Sequence, residues 1–180
     1  HLKDLFVEGV ETPDGARFGG KGFRSTWQEA VAACGTAIEI GTDFASPMIR
    51  DLGLALSLGQ TPLSIMAAQM GKSESKMNGG HVGSGGRDLH IGDWSKGILP
   101  PTAPLPIASA TITGMALASK RLGLRRFHLA PVGEGCSSSG EFWEAINLAG
   151  VRGLPICYVI QNNQIALDTF KANHPNAEIF

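Results

Sequence analysis

The chain has 180 residues, 43% of them apolar, with 15 basic against 16 acidic side chains and a formal charge of −1, the composition of an ordinary globular domain. That balance, with no Lys/Arg block, leaves no electrostatic footprint for nucleic acid. No window approaches the roughly 20 apolar residues of a membrane-spanning helix, so neither nucleic acid nor a membrane is an expected partner.

The start, His1-Leu-Lys-Asp4, lacks the form of a secretory signal. Three cysteines (Cys34, Cys136, Cys157) show no paired spacing for zinc or disulfides, so a reducing compartment is expected, cytoplasmic or, in a eukaryote, the mitochondrial matrix. Residues 1 to 24 carry turn formers and little periodicity. Thr26-Trp-Gln-Glu29 then has the Thr-x-x-Glu form of a capping box, predicting a helix through Ile40. A shorter helix is expected over Asp51 to Gly59, and Thr61-Pro62 opens another over Leu63 to Met70, stopped by Gly71.

Residues 71 to 103 form the longest irregular part, and an irregular stretch of that length inside a domain is usually functional or mobile. Pro104 to Leu122 returns to a helical pattern rich in small residues (Ala108, Ala110, Gly114, Ala116, Ala118), closed by Lys120, Arg121 and Gly123. An apolar run from Phe127 to Val132 reads as a strand, Gly140 to Gly150 as a helix, and Ile156 to Ile160 as a second strand. This alternation predicts an α/β fold, a parallel sheet with helices on both faces, in a single domain over residues 1–180. The ends are expected to be cuts in a longer polypeptide, with a truncated C-terminal side.

The most informative residues stand at the ends of the two strands. Gly133-Glu134-Gly135 closes the first and Asn162-Asn163 the second. The crossover of a strand-helix-strand unit brings both ends to one edge of the sheet. Gly133 and Gly135 permit a sharp turn and close approach of a ligand. Glu134 offers a hard oxygen to a divalent cation, Asn163 an amide oxygen and Ile165 a carbonyl, and diphosphate oxygens and water would complete an octahedron. The helix after Ser139 would present its amino end to the same anion. Each piece has a plain alternative, since Gly-x-Gly is a common tight turn and Asn-Asn often merely ends a strand. Together, separated by the 26 residues from Cys136 to Gln161, they are far more specific.

The run Gly-Glu-Gly-Cys-Ser-Ser-Ser-Gly-Glu-Phe-Trp-Glu-Ala-Ile-Asn-Leu-Ala, with Leu154-Pro155-Ile156 and Asn162-Asn163 beyond it, resembles the alpha chain of the thiamine-diphosphate-dependent decarboxylating component of 2-oxo acid dehydrogenase complexes, of pyruvate or branched-chain type. Ile49-Arg50-Asp51 with Gly53 and Pro62 is similar to that family's Tyr-Arg-acid segment, and Ala103-Pro104-Leu105 to its turn before the small-residue helix. The likeness covers residues 40 to 170 well and the first 40 loosely.

The resemblance implies the diphosphate-binding half of a thiamine-diphosphate fold. It implies that Glu134, Asn163 and the Ile165 carbonyl hold Mg2+, that Arg50 pairs with the diphosphate, that Gly133 adjoins it, and that Gly135 and Cys136 touch it through backbone. Ala103 and Leu105 would meet the aminopyrimidine by main-chain contacts. His90 would be a catalytic histidine, and His81 has a similar, weaker setting. The activity implied is oxidative decarboxylation of a small 2-oxo acid with acyl transfer to the lipoyl group of an acyltransferase. A beta chain would supply the pyrimidine-binding half and the activating glutamate in a heterotetramer, so the chain would be inactive alone, with the Pro104 to Leu122 helix as candidate interface. Departures are Glu134 for the commoner aspartate, which some branched-chain members share, Ile49 and Ile165 for tyrosines, and Leu52 and Leu54 for histidines. A transketolase-like half and a non-catalytic metal- or phosphate-binding module are the alternatives.

Overall fold

The computed structural model describes residues 25–69, 92–102, 104–166 and 169–170. Its centre is a parallel sheet in the order β1 (Phe44–Ala45), β2 (His128–Gly133), β3 (Ile156–Gln161), with Phe44 opposite His128, and His128 through Gly133 opposite Ile156 through Gln161. Beyond β1, Ile98 adds an isolated parallel bridge to Ala45. Gly97, at φ +71°, makes that approach possible, because a β-carbon there would lie 1.9 Å from the Asp43 carbonyl oxygen. A separate antiparallel pair joins β4 (Ile165–Ala166) to β5 (Thr169–Phe170).

Alternation along the strands sorts the core into two layers. Ala45, Leu129 and Val159 face one side, packed with Ile98, with Val31 of α1 (Ala30–Cys34), with Ile38, and with Leu54 of α2 (Leu52–Ser57) and Leu58 just beyond it. Phe44, Ala130, Ile156 and Tyr158 face the other, against Ile112 and Ala116 of α4 (Ile107–Arg121) and Ala149 of α5 (Gly140–Arg152). Helices therefore cover both faces, as the alternating pattern predicts. α3 (Pro62–Gln69) follows α2, with Ile65 packed on Ala55. Full burial of one such aliphatic side chain contributes about 1.5–3 kcal/mol. Tyr158 ties the second layer together, its hydroxyl 2.5 Å from Thr113 Oγ1 of α4 and donating to the Ala145 carbonyl of α5 at 3.1 Å.

Three differences from the sequence reading have physical causes. The helix expected through Ile40 stops at Cys34 and runs on only as a 3-10 turn, Gly35–Ala37. Gly35 and Thr36 are weak helix formers, and Ser57 packs so closely on Gly35 that a β-carbon would come within 2.0 Å of its hydroxyl oxygen. Trp27 sits at φ +68°, and the helix is capped by Glu29 without a side-chain bond, so the anticipated capping box does not open it. Finally, the Pro104 to Leu122 segment becomes helical only at Ile107 and buries Ser109, Ile112, Thr113, Ala116 and Ser119 against the sheet and α5. Of its alanines and glycine, Ala116 is buried there and Ala108 half-buried, whereas Ala110, Gly114 and Ala118 are exposed on the outer side of the helix. Among the described residues no helix is long and apolar enough to cross a membrane.

Candidate functional site

The β2-α5-β3 unit brings the two motifs together. Gly133, ending β2, pairs in register with Gln161, ending β3, and the chain then turns through Glu134–Ser138 as a 3-10 helix on one side and Asn162-Asn163-Gln164 on the other. Asn162 Oδ1 accepts from the Gln164 amide and Asn163 Oδ1 from the Ile165 amide, both at 3.1 Å. These Asx turns, with Gln164 at φ +65°, fold β4 back against the Glu134 turn. The approach is close enough that a β-carbon on Gly135 would lie 2.7 Å from that of Ala166. Glycine is required there.

Glu134 is buried, and its Oε1 has no hydrogen-bond partner. A buried carboxylate oxygen without a donor is costly unless a cation answers it. The Asn163 amide oxygen has a second lone pair beyond the one its turn uses, and the Ile165 carbonyl follows in the same loop. The donor set fits a hard divalent cation held through oxygen.

Arg50, in the turn before α2, is half-buried and directed at the same strand end. Its Nη2 would lie 3.5 Å from a β-carbon on Gly133. Nε donates to Gln161 Oε1 at 3.3 Å and Nη2 approaches the Gln161 carbonyl at 3.5 Å. Gln161 Nε2 in turn donates to Asp51 Oδ1 at 2.7 Å, and Asp51 Oδ2 accepts the Met48 amide at 2.8 Å. Burial pushes the Asp51 carboxyl above its ordinary pKa, opposed by the Gln161 and Met48 bonds and by the charge of Arg50. Burial likewise raises the Cys136 thiol, with Arg50 pulling it down and Glu134 adding to the rise. Cys136 is therefore a neutral thiol at physiological pH.

Cys136, Met48, Val132 and Leu105 line a narrow crevice that also holds the buried and unpartnered hydroxyl of Ser46. The structure thus gathers Arg50, Gly133, Glu134, Gly135, Cys136 and Leu105 around one end of the sheet, with the Asn163 and Ile165 loop folded over it. Ala103, His90 and His81 lie outside the described residues. The α5 amino end, expected to face an anion, already carries Glu141 in its first turn, bonded by the Ser139 hydroxyl and held below its usual pKa by that bond. Gln161 lies beside the site outside every motif, and Asp51, present in the Ile49-Arg50-Asp51 segment, carried no expected role there. The signal for Gln161 was a polar residue closing an otherwise apolar strand.

The family model of the dehydrogenase E1 component matches residues 20–178. The chain belongs to that family. The fold of dehydrogenase E1 components is a thiamine-diphosphate-binding one. Similar proteins include the alpha subunit of acetoin:2,6-dichlorophenolindophenol oxidoreductase from Cupriavidus necator, 35% identical over 120 residues, which are 67% of this chain and 34% of that protein. The alpha subunit of 2-oxoisovalerate dehydrogenase from Bacillus subtilis is 27% identical over 140 residues, 78% of this chain and 41% of the relative. The pyruvate dehydrogenase E1 component alpha subunit of Rickettsia prowazekii is 30% identical over 148 residues, 79% and 42% respectively. The chain spans between about a third and about two-fifths of the length of these curated relatives.

Proposed function

We propose that this chain is the diphosphate- and Mg2+-binding part of the alpha subunit of a thiamine-diphosphate-dependent 2-oxo acid dehydrogenase. With a beta chain it would carry out oxidative decarboxylation of a 2-oxo acid and acyl transfer to a lipoyl group on an acyltransferase. The observation that carries the reading is the buried Glu134 oxygen with no partner, at the end of β2 and beneath the folded-back β4 loop.

Glu134, Asn163 Oδ1 and the Ile165 carbonyl would hold the metal. Arg50 would take diphosphate oxygens with the N–H groups that Gln161 leaves, a planar fork suited to phosphate. Gly133 and Gly135 let the anion approach the backbone, and Cys136, neutral because buried, adds no negative charge beside it. Leu105 and Ala103 would flank the pyrimidine end, and His90 would act near the reacting carbon. Thiamine diphosphate, when bound, supplies the nucleophilic carbon and the electron sink for decarboxylation. The beta chain would contribute the pyrimidine-binding half and the activating glutamate, in a heterotetramer.

Calorimetric titration of the full alpha chain with its co-encoded partner should show thiamine diphosphate binding that requires Mg2+ and is abolished in Glu134→Ala. Absence of binding in the wild type would refute the cofactor reading and leave a non-catalytic module. The likeness to the acetoin-oxidising relative favours a second reading, in which the substrate is a 2-hydroxyketone. Carbon dioxide release from pyruvate or 3-methyl-2-oxobutanoate, against dichlorophenolindophenol reduction with acetoin, separates the two.

A further inference from the structure

Two buried polar side chains beside the site, Asp51 (4% exposed) and Gln161 (5% exposed), have no part in holding the metal or the phosphate directly. They sit 110 residues apart in sequence and are joined at 2.7 Å. A glutamine amide can present either end to a neighbour, but a carboxylate only accepts. Asp51, with its other oxygen fixed by the Met48 amide, therefore turns Gln161 Nε2 toward itself and Oε1 toward Arg50. The main chain of Gln161 adds its carbonyl near Nη2. Because Gln161 is the register partner of Gly133, this acceptor is built into the sheet one residue from Glu134. Among the described residues Arg50 makes no ion pair, and Gln161 is its only side-chain acceptor.

We propose that Asp51 and Gln161 are positioning residues: they form a polarity relay that aims the Arg50 guanidinium at the phosphate end of the cofactor. The inference rests on the reading of Arg50 as a diphosphate ligand. An arginine carries several rotatable bonds, and freezing them before the ligand arrives removes an entropic cost from binding. The relay would act only through Arg50, which separates it from a cluster that merely holds α2 against β3.

The test is a set of thiamine diphosphate affinities at fixed MgCl2, measured by calorimetry on the full alpha chain with its partner. Q161A should raise Kd about tenfold or more in the wild-type background and change it less than about twofold in an R50A background. D51N should act like Q161A, because its new amide donor faces Gln161 Nε2 and forces the glutamine to turn a donor toward Arg50. D51N/Q161E should recover most of the affinity, since a carboxylate at 161 accepts from both sides. Loss in Q161A that persists undiminished beside R50A, or failure of the folded and assembled double variant to recover, would overturn the relay. If R50A itself leaves Kd unchanged, the diphosphate assignment of Arg50 fails, and the relay with it. Should Q161A not assemble, Q161N, one methylene short of both partners, enters the same cycle with the same expected outcomes.

Discussion

Glu134→Met should stabilise the ligand-free protein while removing its response to cofactor. The carboxylate is 7% exposed with Oε1 unpartnered, and leaving such a group unsatisfied costs about 1–3 kcal/mol. Methionine is of similar length, unbranched and free of a group that needs a donor, so it should fill the same slot and recover that cost. At about 2–4 °C per kcal/mol for a domain of this size, the transition of the ligand-free variant should rise by several degrees. With thiamine diphosphate and MgCl2 at about a hundred times Kd, the wild type gains about 2.7 kcal/mol and the variant nothing, so the order reverses or closes. Scanning calorimetry of the full chain with its partner, with and without both ligands, reads the two effects together. A variant less stable than wild type without ligand would show that the Glu134 oxygen stabilises the fold by itself, and the argument that it awaits a cation would fail.

Gly135→Ala should push β4 outward, because its methyl would meet Ala166 at 2.7 Å; cofactor affinity should fall at least tenfold with about 1–3 kcal/mol lost in stability, and unchanged affinity would disconnect β4 from the site. Asn163→Ala should weaken Mg2+-dependent binding more than Asn162→Ala, since both lose an Asx-turn bond but only Asn163 is expected to reach the metal; equal effects in a titration would remove it from the ligand set. His128 is fully buried, with Nδ1 on the Pro155 carbonyl, Nε2 on Ser119 and the ring stacked on Phe44. Burial lowers its pKa below 6.5, with Pro155 and Asp43 opposing and Arg126 adding. The unfolded chain therefore takes up the proton first, so the contribution of His128 to stability is complete above about pH 6.5 and lost as pH falls below it. Urea melts should show the acid-side decline shallower in His128→Asn; equal slopes would contradict that assignment.

The segment from β2 to β3 was legible almost to the residue: Phe127 to Val132 against His128–Gly133, Gly140 to Gly150 against Gly140–Arg152, and Ile156 to Ile160 against Ile156–Gln161. Each element there is long enough to show its own period, and glycines mark the ends. β1 was not legible, because two residues carry no period; it exists because Asp43 receives the Glu39 and Phe127 amides and sets Phe44 beside His128. The expected helix through Ile40 failed for a related reason. Its pattern was right for Val31 and Ile38, both in the core, but Ser57 from α2 decides how the backbone passes Gly35, and no local pattern contains that contact. The same division runs through the site. Gly-Glu-Gly and Asn-Asn announce themselves locally, whereas the Asp51, Gln161 and Arg50 connection spans more than a hundred residues.

On the proposed reading of this strand end, its charges would make metal and diphosphate depend on one another. Among the described residues this strand end has one cation, Arg50, and one unpaired carboxylate, Glu134, with Cys136 kept neutral by burial and Asp51 engaged by Gln161 and Met48 behind them. A diphosphate arriving alone would gain Arg50 but meet the unpaired Glu134 oxygen, so attraction and repulsion nearly offset. A divalent cation arriving alone would find a single charged ligand, with Asn163 and Ile165 offering only neutral oxygens. Bound together, the cation would answer the Glu134 charge and offset that of the diphosphate, and each would remove the cost the other would face. By linkage, Mg2+ must then raise the affinity for the diphosphate by the same factor that the diphosphate raises the affinity for Mg2+. Glu134→Gln should collapse that factor toward one from both directions, whereas a variant at Arg50 should lower diphosphate affinity and leave much of the coupling in place.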